Sequence, residues 1–352
     1  MKQWLRLGIG IVVSLFFLYW ALRFVGNVGE AVASLQGANY WFLLPALVAY
    51  FAGVWLRAVR WHYLLRPVRS VSPGRLFPVV VIGYMANDVL PARLGELVRA
   101  YVLGEQEGVP KTTTLGTIVV ERLFDGLAML IFVALVALVV PLNAQIAQIF
   151  RIGAILFIAV LIALFAVAAS RPRAVRLIEG VEKILPGSLR GKVGATADRF
   201  LQGMDALQSA HLSAMVLALS LGAWLCEATM YAIVALGFEL GLGFPAYMLT
   251  TAVANLGAMV PAAPGYVGTF DFGALASLRL FNASAGQAAG YVLVLHLALL
   301  APVTLLGFYY LWRANLSLRT LGRLNRPPTP PSDPPPTPPK EVVGESTKPR
   351  GS

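Results

Sequence analysis

Charge is scarce in this chain. Of its 352 residues only 13% are Asp, Glu, Lys or Arg, against 58% hydrophobic, and mean hydropathy is +0.72. A soluble domain carries about a quarter charged residues. The balance therefore excludes an ordinary soluble enzyme and a disordered protein, and points to a polytopic membrane protein. Cysteine is nearly absent: Cys226 stands alone, which excludes an intrachain disulfide and a cysteine-built metal site. There is no His-x-x-Glu-His, no Gly-rich phosphate loop with Lys and no nucleophile elbow, so no catalytic residue, metal or cofactor is expected. Acid is short as well, 17 Asp and Glu against 28 Lys and Arg, for a net charge of +11. The basic residues lie between apolar runs, which is a topology signal rather than a nucleic-acid footprint. Membrane lipids with anionic headgroups are the expected partners, and nucleic acid is not.

The nearly charge-free runs are 7–22, 31–56, 76–87, 126–150, 152–170, 206–238, 240–270 and 280–312. A helical span needs about 20 apolar residues, so 76–87 is too short. The run 240–270 is long but carries Pro261, Pro264, Gly265 and Gly268, which break a straight helix. Met1–Arg6 followed by the first run resembles a signal peptide. No convincing cleavage site follows, so an uncleaved first helix is expected. The segment 192–208 places Val193, Phe200, Leu201, Met204 and Leu207 near one helical face, as in a helix lying on a membrane surface. The segment 327–352 is rich in Pro, Thr and Ser and reads as a disordered tail, leaving 1–326 as one transmembrane domain.

Basic clusters at Lys2/Arg6, 57–75, 171–199 and 313–326 all belong in the cytoplasm by the positive-inside rule. With those four fixed, 76–114 begins and ends inside, and 240–287 begins and ends outside. Neither crosses as a single helix. The expected fold is all-α, with about six full spanning helices and two re-entrant helix pairs, and both termini cytoplasmic. Each pair folds back at a Pro/Gly break: Leu90-Pro91-Ala92-Arg93-Leu94-Gly95 and Val260-Pro261-Ala262-Ala263-Pro264-Gly265. Span, re-entrant pair, span would then occur twice in opposite orientation, an inverted-topology repeat. Non-helical backbone at membrane depth needs a protein wall or a wet cavity, so a cavity is implied.

Charged residues cluster at these places. Asn87, Asp88, Arg93, Glu96 and Arg99 surround the first break. Glu121, Arg122 and Asp125 open the helix that continues through Val140. Asp271 and Arg279 follow the second break, and Glu227 is alone in its run. Glu121 and Asp125 share a helical face and need a cationic partner, which Arg93 or Arg99 could supply. Charges at membrane depth cost about 2.5–3.5 kcal/mol on the insertion scale and are functional candidates by default. The competing reading is an ion-pair network that only holds helices together. His296 reads as a packed helix–helix contact. A Mg²⁺ site at Asp88, Glu96, Glu121 and Asp125 is disfavoured by the interleaved arginines.

The stretch from Leu90 to Arg99, Glu121-Arg122-Leu123-Phe124-Asp125, and the stretch from Pro264 to Asp271 resemble the three signatures of the lysylphosphatidylglycerol synthase transmembrane region family, also called the flippase-like domain family. The likeness spans roughly residues 5–320. Tyr266 departs from the family's usual Gly, and Asp271 stands where Glu is usual. The resemblance implies spanning helices with two re-entrant segments, in the plasma membrane of a bacterium or archaeon. In two-domain relatives this region moves aminoacylated phosphatidylglycerol between leaflets, and a separate domain makes that lipid. The tail after residue 326 is too short for such a domain, so a stand-alone member without aminoacyl transfer is expected.

The leading reading is a lipid translocase for a phospholipid or a polyprenyl-phosphate-linked lipid, not an enzyme. Arg93 and Arg99 would meet phosphate. Glu96, Glu121 and Asp125 would balance them or meet a cationic headgroup, with Asn87, Arg122 and Asp271 at the same gate. Pro91, Gly95, Pro261, Pro264, Gly265 and Gly268 would shape the breaks. Three rivals stay open: an ion-coupled transporter of a small solute, using Glu227 or Asp271; an intramembrane transferase; and a membrane partner of a glycosyltransferase or lipid synthase.

Overall fold

The computed structural model describes residues 2–25, 28–90, 94–140, 144–169, 192–259 and 263–316. Among these residues every regular element is a helix and there is no strand. In chain order they are α1 (Lys2–Val25), α2 (Val28–Gly37), α3 (Leu43–Leu65), α4 (Pro73–Val89), α5 (Gly95–Glu107), α6 (Lys111–Val139), α7 (Ala144–Ala169), α8 (Lys192–Gln202), α9 (Ala210–Gly237), α10 (Phe244–Ala258), α11 (Thr269–Arg279) and α12 (Ala285–Arg313). The chain is a multi-pass membrane protein. Four described segments are long and apolar enough to cross: Tyr40–Leu65, Lys111–Val139, Ala210–Gly237 and Ala285–Arg313. A fifth forms if the bent pair Ile11–Arg23 and Val28–Gly37 is one span. Among the described residues, four or five segments therefore meet this criterion.

Between the long helices lie two short pairs. Helices α4 and α5 have 17 and 13 residues, and α10 and α11 have 15 and 11. At 1.5 Å per residue these reach about 16–26 Å, short of a hydrocarbon core about 30 Å thick. Each pair is an antiparallel hairpin. In the first, Gly83 and Asn87 of α4 face Gly95 of α5. In the second, Thr250 of α10 faces Ser277 of α11, and Gly257 faces Thr269. The order long helix, hairpin, long helix occurs twice: α3, α4–α5, α6, and then α9, α10–α11, α12. The contacts cross between these halves. Helix α3 packs on α9, α4 packs on α12, and α10 packs on α6.

Local chemistry explains the breaks. Leu90 precedes Pro91 and is extended (φ −92°, ψ 141°), because a following proline disfavours the α region. Chain entry to α4 and α10 uses Pro73 and Pro245 in the first helical turn, where their missing N–H costs nothing. In the second break Gly265 and Gly268 have φ of 73° and 90°, conformations that a Cβ would strain.

Two expectations change. The run 31–56 is not one helix. Asn39 interrupts it: its side chain accepts the Trp41 N–H at 3.1 Å, its own N–H reaches the Gly237 carbonyl at 2.8 Å, and the next helix continues to Leu65. Part of the apolar face of 192–208 meets protein. Leu201, Met204 and Leu207 join the core, and Gly203 lies against Gly116 and Thr113 of α6. Pro91, Arg93, Pro261, most of the basic segment 171–199 and the tail 327–352 lie outside the described residues.

Candidate functional site

Eight charged side chains from four helices interlock inside the bundle. Helix α3 supplies Arg57 and Arg60, α5 supplies Glu96 and Arg99, α6 supplies Glu121, Arg122 and Asp125, and α9 supplies Glu227. Arg99 is 2% exposed and grips Glu121 with two bonds of 2.7 and 3.0 Å. Its guanidinium also lies over the Trp61 ring, 4.1 Å from the centroid. Arg60 is fully buried and donates to Asp125 at 2.5 Å and to Ser220 at 2.7 Å, with Glu121 at 3.4 Å. Arg122 is 40% exposed and spans Glu96 at 3.0 Å and Asp125 at 3.4 Å. Arg57 pairs with Glu227 at 2.7 Å and stacks on Trp224, whose indole N–H donates to Asp125 at 2.9 Å. Asn255 of α10 donates to Glu227 at 2.9 Å. Buried charges demand such pairing, and each arginine here has it.

Part of this network opens onto a cavity of about 190 Å³. Its polar wall includes Arg57, Tyr84, Asn87, Asp88, Glu96, Arg122, Asp125, Glu227, Asn255 and His296. Its apolar wall includes Met129, Leu256, Met259, Phe270, Leu299 and Val303. The cavity lies where the two hairpins meet, so the void that the broken backbone implied is present. The cations on its wall are Arg57 and Arg122; Asp88, Glu96, Asp125 and Glu227 face them. Asp88 accepts a bond from Thr304 at 2.8 Å.

The structure divides the sequence-derived candidates. Glu96, Arg122 and Asp125 line the cavity together. Asn87 lines it too, and its Oδ1 accepts the Gly95 N–H at 2.7 Å, tying the two arms of the first hairpin. Gly95 permits that approach, since a Cβ there would sit 2.2 Å from the Gly83 carbonyl oxygen. Arg99 and Glu121 meet each other behind the wall rather than on it. Asp271 lies at the second break, where Oδ1 meets His296 Nδ1 at 2.8 Å and Oδ2 accepts the Gly268 N–H at 2.8 Å. Pro264, Gly265 and Gly268 shape that break.

Arg57, Arg60 and Asn255 were missed. Arg57 and Arg60, counted as loop charges, are helical and buried; Trp61, Leu64 and Leu65 just beyond them keep the apolar helical spacing and were the available signal. The partner of Asp125 is Arg60, while Glu121 takes Arg99 as the like-charge argument required. His296 is more than a packing residue: its Nε2 also meets the Gly265 carbonyl at 2.8 Å. No grouping of three or more His, Cys, Asp or Glu suited to a metal occurs among the described residues.

Comparison with known proteins is consistent with this architecture. Residues 7–307 match the lysylphosphatidylglycerol synthase TM region family. A UPF0104 membrane protein of Methanothermobacter thermautotrophicus is 23% identical over 331 residues, covering 87% of this chain and 92% of that protein. The glycosyltransferase AglD of Haloferax volcanii is 32% identical over 114 residues, 31% of this chain and 18% of that protein. A UPF0104 membrane protein of Methanocaldococcus jannaschii is 25% identical over 125 residues, 35% of this chain and 37% of that protein. The chain thus spans well under half the length of these last two relatives. No solved structure matches.

Proposed function

The chain belongs to the lysylphosphatidylglycerol synthase TM region family, and from that premise we propose that it is a lipid translocase of the plasma membrane. The observation that carries the reading is the cavity where the two hairpins meet, whose lining combines ion-paired arginines and carboxylates with apolar side chains. Such a space suits a polar headgroup whose chains stay in lipid. The cargo is a phospholipid or a polyprenyl-phosphate-linked lipid. Arg57 and Arg122 face the cavity and would meet phosphate, exchanging part of their hold on Glu227, Glu96 and Asp125. Arg99 would serve the frame, because Glu121 already takes both of its outer nitrogens.

In this reading the hairpins are re-entrant pairs that enter from opposite faces, in an inverted repeat with both termini cytoplasmic. The crossed packing supports the repeat, since the α4 and α10 arms each rest on the last long helix of the other half. Movement would be passive or gradient-coupled, with no chemistry on the lipid and no cofactor. A second reading is favoured by one finding, the stretch shared with a protein named as a glycosyltransferase. In it the chain serves lipid-linked glycan synthesis as that enzyme's membrane partner.

The test is translocation of fluorescent anionic, aminoacylated and polyprenyl-phosphate-linked lipids in proteoliposomes, comparing wild type with Arg122→Gln. Headgroup-selective movement that is lost in the variant is the expected result. Absence of movement for every probe, from monodisperse protein, overturns the translocase. Unchanged movement in Arg122→Gln overturns the role given to that arginine. Co-purification with a glycosyltransferase without lipid movement decides for the second reading.

A further inference from the structure

We propose that Tyr50, Tyr84 and Asp88 form a hydroxyl-binding subsite of the cavity, which selects a lipid whose headgroup carries free hydroxyls, those of a glycerol or a sugar, beside its phosphate. The inference deepens the translocase reading and rests on it for the cargo being a lipid.

Hydrogen-bond partners divide the cavity wall. Arg57 holds Glu227, and Arg122 spans Glu96 and Asp125. Asn255 and Trp224 donate to those carboxylates. Asn87 and His296 are tied to the two breaks. Tyr50 and Tyr84 line the same cavity. Neither phenol hydroxyl has a hydrogen-bond partner among the described residues. Tyr50 is only 6% exposed, and a phenol so buried normally finds a partner. Asp88 is the wall's other spare group. Its Oδ2 accepts from Thr304 at 2.8 Å, and it has no ion pair among the described residues, unlike Glu96, Asp125 and Glu227. Helix spacing gathers these groups. Tyr84 and Asp88 are four residues apart on α4, and Tyr50 lies two turns before Arg57 on the same face of α3. Tyr50 is within electrostatic reach of both Tyr84 and Asp88.

The spare capacity is thus two O–H donors and one carboxylate oxygen, with no free cation. A phenol donates, an ionised carboxylate only accepts, and a hydroxyl group does both. Ligand hydroxyls therefore satisfy all three groups at once and bring no charge into the cavity. An ammonium group would suit Asp88 but has no acceptor for the phenol protons. A phosphate would take those protons, yet it would set its charge near Asp88 and Glu227, both within electrostatic reach of Tyr50. Phosphate belongs with Arg57 and Arg122, and the hydroxyls beyond it with the tyrosines and Asp88. A site built to hydrogen-bond a hydroxyl discriminates against the analogue that lacks it, because its own polar groups are then left unpaired.

The test is competitive binding to the full chain in detergent, read by native mass spectrometry, and it needs no transport. Two charge-matched pairs are used: phosphatidylglycerol against phosphatidylethanol, and a polyprenyl-phosphate hexose against polyprenyl phosphate methyl ester. Phosphatidylethanolamine is the ammonium control. Wild type should favour the hydroxylated member of at least one pair by about tenfold, and the pair that shows it names the source of the hydroxyls. Tyr50→Phe and Tyr84→Phe keep both rings and remove only the hydroxyls. Each should cut the ratio about threefold, and together they should bring it close to one. Both lipids compete in one sample, so the ratio is independent of the folded fraction. A wild-type ratio near one in both pairs, or binding of neither pair, overturns the subsite. So does a ratio unchanged in the double variant. Preference for phosphatidylethanolamine overturns it in favour of an ammonium site at Asp88. Hydroxyl-selective binding without any lipid movement in proteoliposomes supports the subsite and overturns the translocase; movement with a ratio near one does the reverse.

Discussion

The two hairpins share a shape and differ in what holds them. The first, α4–α5, is fastened by ion pairs: Arg99 to Glu121 and Glu96 to Arg122 join it to α6. The second, α10–α11, carries small residues at close range. Gly257 and Gly273 lie against the opposite arm's backbone, and Ser277 bonds Thr250. Its contacts to charged groups include Asp271 with His296 and Asn255 with Glu227. Inside a membrane, small-residue packing and neutral hydrogen bonds are weak fasteners. A buried ion pair is expensive to break from one side. The first hairpin is therefore the fixed half of the cavity and the second the half that gives.

The sharpest way to break this contrast is Arg99→Leu. It leaves Glu121 only its longer contact with Arg60, at 3.4 Å, and should cost about 3 kcal/mol of stability, read as a large drop in the thermal midpoint in detergent. Replacing both partners, Arg99→Met with Glu121→Leu, should recover most of that loss. If the single change is mild, the first hairpin is not held by charge.

A smaller effect is expected from glycine substitutions that compare the two close approaches. Gly95→Ala places a Cβ 2.2 Å from the Gly83 carbonyl, and Gly257→Ala places one 2.7 Å from the Thr269 carbonyl. Both overpack, by about 1–3 kcal/mol, and Gly95→Ala should be the worse on the same thermal scale. Ser277→Ala removes one neutral hydrogen bond from the second hairpin and should cost about 0.5–1.5 kcal/mol, visible as faster backbone hydrogen exchange in α11. The least change is expected from Arg122→Gln, whose side chain is 40% exposed; its stability should shift by about 1 kcal/mol or less while lipid movement is lost.

Much of this was legible in the sequence because proline and glycine act locally. Pro91 favours an extended Leu90, and the glycines of the second break take positive φ without a Cβ penalty. The charged cluster at Glu96, Arg99, Glu121 and Asp125 was legible because unpaired charge has no place in an apolar run. Partners were another matter. Arg60 sits 65 residues from Asp125, and His296 lies 25 and 31 residues from Asp271 and Gly265. Those pairings arise from the crossed packing of α3, α6, α9 and α12, which no local pattern encodes. The arginines of α3 were also masked by the rule that helped elsewhere, since basic residues past an apolar run usually mark a loop.

The interior network contains Arg57, Arg60, Arg99 and Arg122 against Glu96, Glu121, Asp125 and Glu227, so its charges cancel. A voltage acts on net charge, at about 2.3 kcal/mol per elementary charge per 100 mV. If the helices around the cavity rock while these pairs stay closed, the electric field of an energised membrane does almost no work on this network. Any voltage dependence of a working cycle would then report charges outside it, those of the cavity's occupant among them.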